Sequence, residues 1–247
     1  KGQVLTEQLG RIGGEEVLAQ VREATAAQPD QEILIEVAPA PGDETGDLRG
    51  RRTRLQLVID KDGRPGLRKY RSHDIATLED LTMADEAIEA LNILGDGSWR
   101  GTWKPGERIA VEAPNDSPAV VVTSTGAYTA PEEVLEVPSQ WAVEARGRRH
   151  VFSVRPGAFW QTHREAPSVL VDAVLEAAQV APTDTVAELY SGSGLFSRFL
   201  ADELAEGELV TLEGNQEAVR SAGEALQEEV ARGSVQLYAG TVDGAAV

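Results

Sequence analysis

The chain has 247 residues, 41% of them hydrophobic, enough to bury a sizeable core in one large domain or two small ones. It contains no cysteine, which excludes disulfides, cysteine-ligated metal sites and a thiol nucleophile within these residues. The net charge of −18 by itself speaks against a nucleic-acid partner, yet residues 49–71 carry nine basic side chains against Asp60 and Asp62, so this window is +7 and the remainder −25.

The first segment places apolar side chains at Val4, Leu5, Leu9, Ile12, Val17, Leu18, Val21 and Ala24. That spacing is helical, and Gly13-Gly14 interrupts it, so two helices or one broken helix is predicted within residues 1–30, packing on the C-terminal part. Residues 32–37 read as a strand followed by a Pro/Gly/Asp loop. "TRLQLVIDKDGRPGLRKYR" predicts two strands around a turn at Asp62-Gly63, and this hairpin carries the basic window. A helical pattern spans Leu78 to Leu91, and short strands alternate with turns from Arg108 to Val137, so residues 31–149 are predicted to form a β-rich α+β central domain.

From His150 onward strands and helices alternate. Strands are expected near 150–154, 185–190, 208–213 and 234–239, with helices near 165–179, 195–205 and 216–231. Alternation of this length predicts an α/β domain with a parallel sheet over residues 150–247. Its few strands match part of a Rossmann-like, doubly wound sheet, so a portion of a larger domain is expected. No run of about 18 apolar residues occurs and the first residues do not resemble a signal peptide, so neither a membrane nor secretion is indicated, and a cytoplasmic monomer is expected.

The most informative stretch is "VAELYSGSGLFSRFL", residues 186–200: a short strand, a loop holding Gly192 and Gly194, and a helix opening at about Leu195. Glycines let a backbone approach a ligand closely, and a helix start directs free N–H groups at it. Ser197 stands where the third glycine of a dinucleotide fingerprint would fall. Glu213 ends the next strand, 19 residues beyond Gly194, where a carboxylate can accept both ribose hydroxyls of an adenosine. Both NAD and S-adenosylmethionine contain that adenosine. Glu188, in the strand before the loop, would repel a pyrophosphate but suit a sulfonium and an ammonium, which favours S-adenosylmethionine.

These residues also resemble a known family. "ELYSGSGLFS" followed by "VTLEGNQEAVRSAGEAL" is similar to the first two motifs of the class I uracil-5-methyltransferases of transfer and ribosomal RNA, with Tyr190 where a tyrosine or phenylalanine replaces the first glycine. "FSVRPGAFWQTHREAPSVLVDAV" resembles their Phe-Phe-Gln-x-Asn segment, with Phe159, Trp160 and Gln161 in register and His163 in place of asparagine. "RRTRLQLVIDKDGRPGLRKYRSHDI" is similar to the central-domain hairpin of actinobacterial members. The resemblance implies S-adenosylmethionine as cofactor, contacted by Gln161, Tyr190, Glu213 and Leu195 around a loop shaped by Gly192 and Gly194, with Asp243 near the adenine. It implies RNA as partner, with Arg51, Arg52, Arg54, Arg64, Arg68, Lys69 and Arg71 facing phosphates.

The family's chemistry adds a cysteine thiolate to uracil C6 so that C5 can take the methyl group, after which a base removes the C5 proton. Neither that cysteine nor the Asp-Pro-Pro motif occurs here; both are expected beyond Val247, and a small RNA-binding barrel is expected before Lys1. No catalytic residue is therefore assigned within these residues. Methylation of a small molecule or a protein, and cofactor binding without catalysis, remain alternatives.

Overall fold

The computed structural model describes residues 2–26, 31, 37–47, 49–95, 99 and 102–242. The strand expected at 32–37 falls almost wholly outside them. The chain divides into two compact units, Lys1–Asp47 and Leu48–Val247. In the first, helix α1 (Gly2–Ala24) breaks at Gly14, where φ is 69°. The break falls where the paired glycines predict it. Leu18 lies 2.9 Å from where a Cβ on Gly10 would stand, so the second half folds back over the first.

The second unit opens with antiparallel structure. Strands β1 (Arg54–Ile59), β2 (Pro65–Arg68) and β3 (Ile75–Thr77) precede the short helix α2 (Glu86–Ala90). β4 (Arg108–Glu112), β5 (Val120–Val122), β6 (Ala127–Ala130) and β7 (Glu133–Val134) follow. They form one seven-stranded sheet in the order β3-β2-β1-β4-β5-β6-β7. Register places Leu57 opposite Ile109 and Leu55 opposite Val111, so alternate apolar residues share one face. That face packs on Ile88, Ile93 and a stacked pair, Trp99 and Trp103, with ring centroids 5.8 Å apart. The β1–β2 turn is held by Asp60, whose Oδ1 accepts from the N–H groups of Asp62 and Arg64, both at 2.8 Å.

The helix expected over 78–91 shortens to α2 because local side chains compete for its backbone. Asp80 Oδ1 accepts from the Thr82 N–H, and Asp85 Oδ1 caps the helix at the Ala87 N–H, 2.9 Å away.

Next come β8 (Ser139–Ala145) and β9 (Arg148–Val154), an antiparallel hairpin. Its apolar side, Trp141, Val143, Phe152 and Val154, shares a core with Trp160, Val171, Leu175, Phe199 and Leu209. The change of sequence pattern at His150 thus lies inside a hairpin whose apolar partners are the helices that follow it.

Helix α3 (Ala166–Ala178), strand β10 (Thr185–Leu189), helix α4 (Leu195–Glu203), strand β11 (Glu208–Glu213), helices α5 (Gln216–Ala225) and α6 (Gln227–Arg232), and strand β12 (Val235–Ala239) complete the described fold. β10, β11 and β12 are parallel neighbours, with Val186 beside Leu209 and Leu209 beside Val235. The helix expected over 216–231 is broken at Leu226, which is fully buried. Arg198 ties α4 to α6, reaching Glu229 at 2.7 Å and Asp202 at 2.5 Å, and Asp202 in turn meets His150 Nε2 at 2.7 Å.

Candidate ligand loop and basic surface

The loop between β10 and α4 lies at the carboxyl end of the parallel sheet, where open α/β sheets bind ligands. Tyr190 has φ 60°, donates its N–H to the Leu212 carbonyl at 2.8 Å, and is 72% exposed. Two residues on, the Gly192 N–H donates to Glu213 Oε2 at 2.9 Å. The other oxygen of Glu213 accepts from the Asn215 N–H at 2.8 Å, and Asn215 caps α5. The end of β11 is thereby fastened to the loop. Gly192 has φ 57° with open space where a Cβ would stand, so a ligand can come close to its backbone.

Gly194 serves differently. It caps α4 with φ 84°, and a Cβ there would stand 2.9 Å from the Ala222 Cβ, so this glycine is required by helix packing. α4 has no side-chain cap, leaving its first-turn N–H groups available to a ligand. The Leu195 side chain is buried in the core, so any contact from this position comes from its backbone.

Glu188 points to the α4 side of β10 and accepts from Ser197 Oγ at 2.5 Å. Burial pushes its carboxyl up to about 7, and the serine hydroxyl offsets only part of that. Sequence reasoning noted Ser197 only as a missing glycine. A hydroxyl nine residues after a strand glutamate, one turn into the following helix, was the available signal.

Gln161 sits elsewhere: it lines a cleft of about 390 Å³ with Trp141, Trp160, His163 and Arg164, which none of Tyr190, Gly192, Gly194, Leu195 and Glu213 lines. Its backbone carbonyl accepts from Thr53 Oγ1 at 3.3 Å. Asp243 lies outside the described residues.

The basic residues divide by environment. Arg54 does not face solvent: its side chain is 11% exposed, bonds Glu112 Oε1 at 2.7 Å and donates to the Trp160 carbonyl at 3.0 Å. Burying a guanidinium requires such partners, so Arg54 is a structural residue. Arg64 is exposed but paired with Asp60 and Asp62, at 3.2 and 3.4 Å. Arg51 is half-buried and its carbonyl accepts from the Arg164 N–H at 3.0 Å, while Arg52 is exposed. Arg68, Lys69 and Arg71 are exposed at the β2–β3 turn. Elsewhere, Arg148 pairs with Glu203 at 3.0 Å and Arg149 with Asp116 at 2.8 Å. Among the described residues no group of metal-ligating side chains occurs, and no helix is long and apolar enough to cross a membrane.

Fold and site together define an α/β protein with a glycine-loop ligand site at the ends of adjacent parallel strands, joined to an antiparallel sheet carrying basic residues. Among known proteins, the chain is 31% identical over 245 residues to an uncharacterized RNA methyltransferase of Streptomyces coelicolor, covering 90% of this chain and 50% of that protein. It is 30% identical over 263 residues to an uncharacterized RNA methyltransferase of Corynebacterium glutamicum, covering 100% of this chain and 56% of that one. The chain spans about half the length of the curated relatives it matches. A crystal structure of an RNA methyltransferase from Salinibacter ruber in complex with S-adenosyl-L-homocysteine aligns with 30% of this chain and 48% of its own, at 28% identity and TM-score 0.27. No family model matches the chain.

Proposed function

We propose that this chain is the S-adenosylmethionine-binding part of an RNA methyltransferase that forms 5-methyluridine in transfer or ribosomal RNA, with the cysteine nucleophile and the base supplied from outside these residues. The observation that carries the cofactor assignment is the bond from the Gly192 N–H to Glu213, which sets a carboxylate beside an open glycine loop. The residues present fit the cofactor. Glu213 keeps lone pairs for two ribose hydroxyls, the exposed ring of Tyr190 offers an aromatic wall, and Gly192 leaves room for close approach. Glu188, poised at about 7, has a carboxylate form that a nearby cation would favour. When bound, the cofactor supplies an electrophilic methyl group. Gln161 and Asp243 enter this set by resemblance alone, and the RNA substrate is supported by the names of the relatives and by the exposed cations of the β2–β3 turn.

Calorimetric titration of the chain with S-adenosylhomocysteine tests the assignment. Saturable binding is expected, weakened at least about tenfold by Glu213→Gln, because charge-assisted hydrogen bonds to the ribose are lost. Preferential binding of NAD, or affinity indifferent to Glu213→Gln, overturns it.

A further inference from the structure

The turn joining β2 to β3 holds a feature that the cofactor assignment does not use. Tyr70 is 85% exposed, and the guanidinium carbon of Arg71 lies 5.1 Å from its ring centroid. Arg68 and Lys69 flank it, both exposed. An isolated tyrosine on a loop means little; a tyrosine framed by three cations in a chain of net charge −18 is a departure from the composition around it.

The turn is also fixed. The Lys69 N–H donates to the Asp74 carbonyl at 2.9 Å, the Ser72 N–H to the Lys69 carbonyl at 3.1 Å, and the Asp74 N–H to Ser72 Oγ at 3.0 Å. Arg71 occupies the third position of that tight turn with φ 53°, a place where glycine or asparagine is the usual residue. The Arg71 guanidinium lies over the Tyr70 ring, so cation and ring form one surface on this turn. Asp74 is the carboxylate within the turn, and it leaves the cluster net positive.

Positive charge binds any RNA, duplex or single-stranded, through phosphates. An exposed aromatic ring adds something a duplex cannot use, because the base faces of a duplex are already stacked, whereas an unpaired base can lie on the ring. We propose that the β2–β3 turn is a docking site for unpaired RNA, in which Tyr70 stacks on one base while Arg68, Lys69 and Arg71 hold the adjoining phosphates. This rests on the RNA substrate of the proposed function and narrows it to RNA with an unpaired stretch at this surface.

The experiment uses the 247-residue chain and two labelled RNA probes, a 12-nucleotide single strand and a duplex of the same length, across a salt series. The single strand should bind more tightly, and a 2-aminopurine within it should be quenched on binding. Tyr70→Ala should weaken the single strand about tenfold, leave duplex binding and the salt slope unchanged, and abolish the quenching, while Tyr70→Phe retains all three. Arg68→Glu/Lys69→Glu should weaken both probes and flatten the slope by roughly 0.7 per lost contact on the single strand. Because Tyr70 is exposed, unchanged thermal melting is the folding control. Tyr70→Ala binding that matches wild type, equal losses on both probes, or no RNA binding at low salt overturns the proposal. S-adenosylhomocysteine titration of Tyr70→Ala separates the two readings. Intact cofactor binding with an unaltered RNA profile sinks the docking site alone, whereas absent cofactor binding with a Tyr70-dependent RNA profile sinks the methyltransferase assignment.

Discussion

Each of the two larger sheets carries a glutamate withdrawn from solvent, Glu112 buried and Glu188 half-buried, and the two are treated in opposite ways. In the antiparallel sheet, Glu112 is 2% exposed and meets the Arg54 guanidinium and the Gly157 N–H, at 2.7 and 3.1 Å. Burial holds its carboxyl above the ordinary range, and those partners pull the other way. In the parallel sheet, Glu188 has one hydroxyl, from Ser197, and no guanidinium partner among the described residues. A buried carboxyl with a full set of partners is part of the scaffold. A half-buried carboxyl supported by a single hydroxyl beside a ligand loop has a charge that whatever binds there can set.

The largest effect expected from this contrast is at Glu112. Glu112→Ala strands the Arg54 charge in a buried site and should cost about 3 to 5 kcal/mol in urea unfolding. The charge-free pair Arg54→Met/Glu112→Leu should recover most of that loss, since desolvation of both ions is removed together. A single-variant cost below about 1 kcal/mol would break the comparison, because Glu112 would then be no more committed than an exposed charge.

Next in size is the pH dependence at Glu188. Its folded value of about 7 lies above the ordinary 4.5, so between these the folded protein retains a proton that the unfolded chain releases. Stability should therefore fall as pH rises from about 4.5 to about 7, by on the order of 3 kcal/mol, and level off above that. Glu188→Gln should remove this slope. Denaturation midpoints across the pH range check it; identical profiles for wild type and variant would remove the distinction between the two carboxyls. In the same window, S-adenosylmethionine affinity should rise with pH in wild type and stay flat in the variant.

The smallest contrast is within the loop itself. Gly192→Ala and Gly194→Ala both place a Cβ at positive φ, about 1 kcal/mol each. At Gly194 the new methyl also presses on Ala222, adding about 1 to 3 kcal/mol, whereas at Gly192 it meets open space. Melting should thus separate the two variants, while cofactor titration should find Gly192→Ala impaired despite its milder fold. Equal melting losses would contradict the division of roles between them.

The local elements were largely legible in the sequence. The two strands around the turn at Asp62-Gly63, the break at Gly13-Gly14 and the strand, loop and helix around Gly192 each depend on neighbours in the chain, and each appears where the pattern places it. The helix over 78–91 was misjudged because Asp80, Thr82 and Asp85 turn their side chains onto nearby backbone, which apolar periodicity does not register. Tyr70 was visible in "LRKYR", yet its exposure and the Arg71 stacking were not.

Which arginines reach solvent depended on residues far away in sequence. Arg54 and Arg68 carry the same charge in the same hairpin, but Glu112 and the Trp160 carbonyl close over the first and no carboxylate meets the second in the described structure. The same holds for the ligand loop: the sequence by itself determined that glycines, a strand glutamate and a strand-end glutamate occur at the right spacing. Only the tertiary structure decided that Glu213 bonds the Gly192 N–H, that Ser197 is the partner of Glu188, and that Gln161 lines a different cleft. Spacing is set along the chain, whereas burial and hydrogen-bond partners are set by the elements that pack across it, and those control charge and chemistry.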